Sequence, residues 1–127
     1  MGNYIPLSKL EVYQLSRQLS DLSWDVFQKL TWHQQKIIGV QFIESIDSIG
    51  ANIAEGYGRY HAADRIKFYY NSRASMSEAI EHWLALLLKR KLISDKEHDP
   101  IKLCSAKLSL KLNNFIKITG YLKEKQT

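Results

Sequence analysis

The sequence predicts an all-α fold: an up-down-up-down antiparallel four-helix bundle, with residues 1–127 as a single domain. Three observations predict it. Apolar residues recur every three or four positions through four long segments, which is the period of a helix face and not of a strand. Only two prolines and six glycines interrupt them. The links between segments are short, and short links set consecutive helices side by side and antiparallel. With 127 residues, 45% apolar and 24% charged, the chain can bury a core and has ordinary globular composition.

Met1 to Leu7 reads as an extended lead-in broken at Pro6. Ser8-Lys9-Leu10-Glu11 has capping-box spacing, so helix 1 is expected over about residues 9–30. Val12, Leu15, Leu19, Leu22, Val26 and Leu30 form its core stripe, while Leu10, Tyr13, Trp24 and Phe27 make a second apolar face. After a short link, Leu30 to His33, helix 2 is expected over about 33–58. Its stripe is Ile38, Phe42, Ile46, Ile49 and Ile53; such β-branched residues lower helix propensity, so packing has to hold this helix. Gly58 is expected to end it with a positive φ.

Tyr60 to Ala63 makes the next turn, and helix 3 is expected over about 62–91. Tyr69, Met76, Ile80, Trp83 and Leu87 form its stripe, widened by Leu84, Leu88 and Leu92. Lys89-Arg90-Lys91 falls in the last turn, where cations suit the negative helix end. Ser94-Asp95-Lys96-Glu97 is a second capping box and starts helix 4, expected over about 95–123; Asp99-Pro100 is the alternative start. Its main stripe is Ile101, Cys104, Leu108, Leu112, Phe115 and Leu122, and a second one holds Leu103, Leu110 and Tyr121. Helices 1 and 4 each carry two apolar faces, more than one bundle buries, and a homo-oligomer accounts for the excess. Scattered exposed apolar residues are the plainer account.

The net charge of +5 is uneven. Residues 1–88 hold 8 Lys/Arg against 9 Asp/Glu, a net of −1, while residues 89–127 hold 10 against 4, a net of +6. A basic segment on a nearly neutral body fits either an acidic partner such as RNA or a solvated lysine face. Aromatic and basic residues also interleave at Tyr57-Gly58-Arg59-Tyr60-His61 and Arg65-Ile66-Lys67-Phe68-Tyr69-Tyr70, a mixture that stacks bases and contacts phosphates, or packs against a neighbouring helix. The candidate nucleic-acid contacts are therefore Arg65, Lys67, Lys89, Arg90, Lys91, Lys107 and Lys111.

The sequence offers little to an enzyme. A di-iron bundle needs two Glu-x-x-His motifs, yet Leu30, Gly58, Ala79 and Asp95 stand three residues before the four histidines. One cysteine supplies neither a zinc cluster nor a disulfide, and it fits a reducing, cytoplasmic setting. Cys104 lies on a core stripe with no obvious base. Gly56-x-Gly58 lacks a third glycine and follows a helix, so no dinucleotide fingerprint forms, and there is no Walker loop. No catalytic residue, cofactor or metal ligand is assigned. Met1 to Lys9 has no apolar run of signal-peptide length. The longest apolar run, Trp83 to Leu88, is far below the ~18 residues of a membrane span.

Two polar rows remain. Ser48, Asn52, Glu55 and Arg59 share one side of helix 2, with Glu55 and Arg59 spaced for an ion pair. Asn71, Ser75, Glu78 and His82 form a similar row on helix 3. They are either two solvated faces or a hydrogen-bond network between helices, of the kind that specifies register.

The stretch Ser48-Ile49-Gly50-Ala51-Asn52-Ile53-Ala54-Glu55-Gly56-Tyr57-Gly58-Arg59 resembles the signature of the bacterial four-helix-bundle proteins called 23S rRNA-intervening sequence proteins. Leu10-Glu11-Val12-Tyr13-Gln14, Gln41, Phe68, Ser75 and Glu78 resemble the family as well, so the likeness runs from about Leu10 to Leu122. Gly50 stands in place of the family's proline and Asp47 in place of an apolar residue. Asn71, Ser72, Ala74 and Met76 depart on helix 3, and Trp32-His33 replaces a proline-containing link. The resemblance implies a homopentameric bundle with no assigned enzymatic activity, often encoded inside large-subunit rRNA genes. Other relatives resemble the accessory protein of diversity-generating retroelements, a basic pentamer that contacts a reverse transcriptase and nucleic acid. Self-association, RNA or a nucleic-acid enzyme are thus the expected partners, with no membrane. Asn52, Glu55, Arg59 and Glu78 match the family's shared polar residues and are expected to form a structural polar network.

Overall fold

A computed structural model describes residues 4–126. It contains four helices: α1 (Glu11–Lys29), α2 (residues 32–57), α3 (residues 62–89) and α4 (Asp95–Gln126). A 3₁₀ turn, Leu7–Lys9, precedes α1, and no strand occurs among the described residues. The first three residues of the expected lead-in lie outside them. No described helix is long and apolar enough to cross a membrane.

Contacts run around a ring: α1 packs on α2 and α4, α2 on α3, and α3 on α4. Gly39 lies by Phe27 and Leu30, whereas Gly50 lies by Tyr13 and Ser16. Gly56 touches Tyr69, and Ser72 reaches back to Ile49. Tyr69 packs at a tilt against Phe115 while Arg73 meets Asn113, and Lys111 approaches Glu11 while Cys104 approaches Leu15.

The predicted stripes meet inside the ring. Leu19, Phe42, Ile49, Ile53, Tyr69, Leu84, Leu87, Ile101, Leu108 and Leu112 are fully buried. Leu122 does not join them and remains 45% exposed, because α4 runs on past the start of α1 there. Trp83 is only half-buried, while Leu84 takes its place. Residues Glu78–Leu84 form a π-helical stretch. A π turn holds more residues than an α turn, so the side chains beyond it lag a 100° wheel. That lag carries Leu84 to the middle of the core and Trp83 to its edge. A second π stretch, Gln35–Gly39, lies ahead of the α2 stripe and leaves it intact.

Helix ends depart from expectation in instructive ways. The Ser8–Glu11 capping box does not form: Leu10 is the N-cap with no side-chain bond, since Pro6 sets up the 3₁₀ turn and delays the helix. Thr31 and Gln34 instead make a capping box at the start of α2. The Ser94–Glu97 box forms as expected, with bonds of 3.0 to 3.3 Å, so Pro100 lies within α4 and does not open it. Gly58 ends α2 with a φ of −78° and not a positive one. The positive φ falls on Lys91, at 59°. Leu92 N–H donates to Leu87 O and Lys91 N–H to Leu88 O, so α3 closes in a Schellman turn without glycine.

Candidate nucleic-acid interface

The small side chains of α3 and α4 define the site. Ala74 and Ser77 on α3 face Ser105, Ala106 and Ser109 on α4, and Gly120 lies further along. Where both helices lack bulk, a groove opens between them. One part encloses about 600 Å³ and the other about 410 Å³, and Tyr70 lines both.

Spacing along each helix builds the walls. Ile66, Tyr70, Arg73, Ser77 and Glu81 succeed one another every three or four residues, so they share a face. On α4, Lys102, Ser109, Lys117, Tyr121 and Lys123 line the opposite wall. The Arg73 guanidinium lies 4.8 Å from the Tyr70 ring centroid, and its Nη1 donates to Asn113 Oδ1 at 3.1 Å. This fixes a flat cation against a flat ring beside the open groove. Tyr70 and Tyr121 are 46% and 55% exposed. Four cations, Arg73, Lys102, Lys117 and Lys123, line the groove against two carboxylates, Glu81 and Glu124.

The seven residues expected to contact nucleic acid do not gather in one place. Arg65 spends its Nε–H on Arg59 O at 2.7 Å and its guanidinium lies over Tyr57, so it closes the α2–α3 turn. Lys67 is exposed near the same end. Lys89, Arg90 and Lys91 are exposed at the other end of α3. Lys107 is exposed on α4, and Lys111 pairs with Glu11 at 3.5 Å. The lysines of the groove, Lys102, Lys117 and Lys123, belong to the basic last third of the chain. Sequence spacing could not separate them from the others, because the groove exists only once α3 and α4 are paired.

The polar rows meet in part. Ser48 Oγ and Ser75 Oγ are 3.0 Å apart, and Asn52 Nδ2 donates to both Ser48 O and Ser48 Oγ. Glu55 and Arg59 pair with each other at 2.9 Å on the surface, with side chains about half exposed. Arg59 also lies over the Phe68 ring. Glu78 accepts from Trp83 Nε1 at 2.8 Å. Glu55 and Glu78 therefore bond only within their own helical segments, and Arg59 reaches α3 through the Phe68 ring alone. A solvated pair at this spacing contributes only about 0.3–0.5 kcal/mol.

The glycines of the signature stretch have direct packing roles. A Cβ on Gly56 would lie 2.8 Å from Tyr69 Cε1, 2.9 Å from Phe68 Cβ and 3.1 Å from Arg65 O. Gly56 thus sets how closely α2 approaches α3. Beneath it, Tyr69 is fully buried with an unpartnered hydroxyl. Burial raises its pKa to about 12. The unfolded phenol ionises near 10, so above that pH the unfolded state loses its proton first and stability falls until pH passes about 12. Urea midpoints should therefore decline across this window, and Tyr69→Phe should flatten the decline. An equal decline in both proteins would contradict the assignment.

Cys104 is half-buried, and its thiol donates to Leu15 O at 3.8 Å. Burial raises its pKa, which suits a packing residue better than a nucleophile. No three His, Cys, Asp or Glu side chains converge into a metal-binding group among the described residues.

The sequence model of the 23S rRNA-intervening sequence protein family matches residues 8–114. The chain belongs to this family. A solved structure, a protein of unknown function from the S23 ribosomal protein family of Bacteroides thetaiotaomicron, aligns with a TM-score of 0.76 at 26% identity. The alignment covers 84% of this chain and 95% of that one. No match is found among curated proteins. The family match takes in the signature and most of α4 but stops before Lys117, Tyr121 and Lys123, so the α4 wall of the second part of the groove lies beyond the matched residues.

Proposed function

We propose that this chain is a non-enzymatic, cytoplasmic, oligomeric bundle of up-down-up-down topology that binds RNA along the α3–α4 groove. The observation that carries this reading is the pairing of two half-exposed tyrosines with four cations in one channel. Unpaired bases stack on tyrosine rings and on guanidinium planes, and the lysines around them meet phosphates. The family's name, which links it to 23S rRNA, supports the same ligand class. The resemblance supports a homopentamer as the assembly, and exposed Leu103, Leu110 and Ile118 on α4 supply apolar surface for it. That stripe also favours a second reading, a scaffold or adaptor for another protein, such as a nucleic-acid enzyme, that does not bind RNA itself.

Filter binding to an rRNA fragment with single-stranded loops separates the two. Replacing Tyr70 and Tyr121 together by alanine should weaken binding at least about tenfold, since each stacked base contributes about 1–3 kcal/mol. Both rings are exposed, so circular dichroism should show the fold unchanged. If the wild-type protein retains no RNA even at low salt, the adaptor reading stands and the RNA reading fails.

A further inference from the structure

The α3–α4 groove differs from one end to the other. Tyr121 and Lys123 line one end, Glu81 and Lys102 line the other, and Tyr70 stands between them. Tyr70 is about three helical turns ahead of Glu81, so a base on its ring and a base beside Glu81 are separate bases of one strand. At the Glu81 end, Met76 and Ile80 form an apolar floor, only 5% and 6% exposed, with Ala106 on the facing helix. An apolar floor between small side chains suits the flat face of a base.

Glu81 is the feature that phosphate binding does not explain, since a carboxylate repels phosphate. Its side chain and that of Lys102 are both exposed, and neither has a hydrogen-bond or ion-pair partner among the described residues. Glu81 lies within the π-helical stretch Glu78–Leu84, whose lag turns it towards α4. Trp83 Nε1–H donates to Glu78 at 2.8 Å across five residues, which is the π spacing, and so pins that stretch. Such stretches inside α-helices are frequent at functional sites.

An ionised glutamate offers two acceptor oxygens and no donor. Unpaired bases present their Watson–Crick edges, and these differ. Guanine sets N1–H and its 2-amino group side by side, two donors that match the two oxygens, with the acceptor O6 next to them. Adenine and cytosine pair one amino group with a ring acceptor, and uracil flanks a single N–H with two carbonyls. We infer that this end of the groove selects guanine among unpaired bases, with Glu81 accepting from N1–H and the 2-amino group and Lys102 donating to O6. This rests on the RNA reading of the groove and adds the base it prefers.

Fluorescence anisotropy with a labelled oligouridylate, and with the same strand carrying one central guanine, inosine, adenine or cytosine, tests it. The wild type should bind the guanine strand about tenfold tighter than oligouridylate, as a bidentate base contact allows. Inosine lacks the 2-amino group and should fall between the two. Glu81→Gln places an amide donor against one of guanine's donors, so the preference should disappear. Oligouridylate should bind that variant at or slightly above the wild-type level, because a charge that repels phosphate is lost, and this also checks that the variant folds. Equal affinity of the wild type for every strand, or a preference for another base, overturns the guanine assignment and leaves the RNA reading standing. A Glu81→Gln protein that keeps the wild-type ratio of guanine to uracil affinity does the same. A wild type that binds no strand even at low salt overturns both.

Discussion

Leu108→Ala should destabilise the protein by about 3 kcal/mol, lowering the melting temperature by roughly 12 °C. Leu108 is fully buried on the core row of α4. Truncation there loses the transfer free energy of three carbons and leaves a cavity that four packed helices close only partly. Leu110 lies two residues away and is 64% exposed. Leu110→Ala should change protomer stability by no more than about 0.5 kcal/mol. Any further loss should depend on protein concentration, because it would report weakened assembly and not a weakened core. Thermal melts of both variants at two concentrations check this. Equal losses from the two would place α4 in a different rotation.

Gly56→Ala comes next in size. Alanine gains up to about 1 kcal/mol of helix propensity over glycine in a helix interior. Here the new methyl would sit 2.9 Å from Phe68 Cβ and 3.1 Å from the carbonyl oxygen of Arg65. Neither neighbour is the end of a flexible side chain, so α2 and α3 must move apart. Overpacking of this kind costs about 1–3 kcal/mol, and a net loss of about 2 kcal/mol is expected. Gly50→Ala should cost less, because its 2.9 Å contact is the movable hydroxyl of Ser16. Gly120→Ala meets no atom within 4 Å and should stabilise α4. Urea denaturation of the three variants should rank them in that order, with the sign reversed at Gly120. A neutral Gly56→Ala would mean that the helices do not approach as closely as described.

The four helices were legible because apolar spacing of three to four residues follows directly from which face is buried. Ile38, Phe42, Ile46, Ile49 and Ile53 reached the core as expected, all of them almost wholly buried. Phase was lost at the π stretch that exchanged Trp83 for Leu84, and late in α4, where Ile116 is buried ahead of Phe115 and Leu122 stays exposed. Helix ends depend on single hydrogen bonds, and these are harder to anticipate. Ser94–Glu97 and Thr31–Gln34 share the same capping logic as Ser8–Glu11, yet Pro6 diverted the last into a 3₁₀ turn. Lys91 took the left-handed position that a glycine usually fills.

The candidate site was less legible. Charge counting located the basic last third of the chain, but a groove belongs to two helices at once. Tyr70 and Arg73 share one face of α3 but lie far from Lys117 in sequence, and they meet it only through the α3–α4 pairing. Arg65 illustrates the converse: its basic and aromatic neighbours looked like a binding patch, and its side chain instead ties Arg59 into the turn. The shared polar residues divide in the same way. Asn52 joins Ser48, which reaches Ser75 across the helix pair, whereas Glu55 and Arg59 face solvent.

The salt dependence of RNA binding tests the functional reading most directly. Each phosphate contact on a single strand should contribute about −0.7 to the slope of log affinity on log salt. The wild type should bind with a clearly negative slope, and Lys117→Ala with Lys123→Ala should make it shallower by about 1.4 while leaving the fold unchanged. A wild-type protein that binds no RNA at low salt, or a double variant with an unaltered slope, would contradict the account.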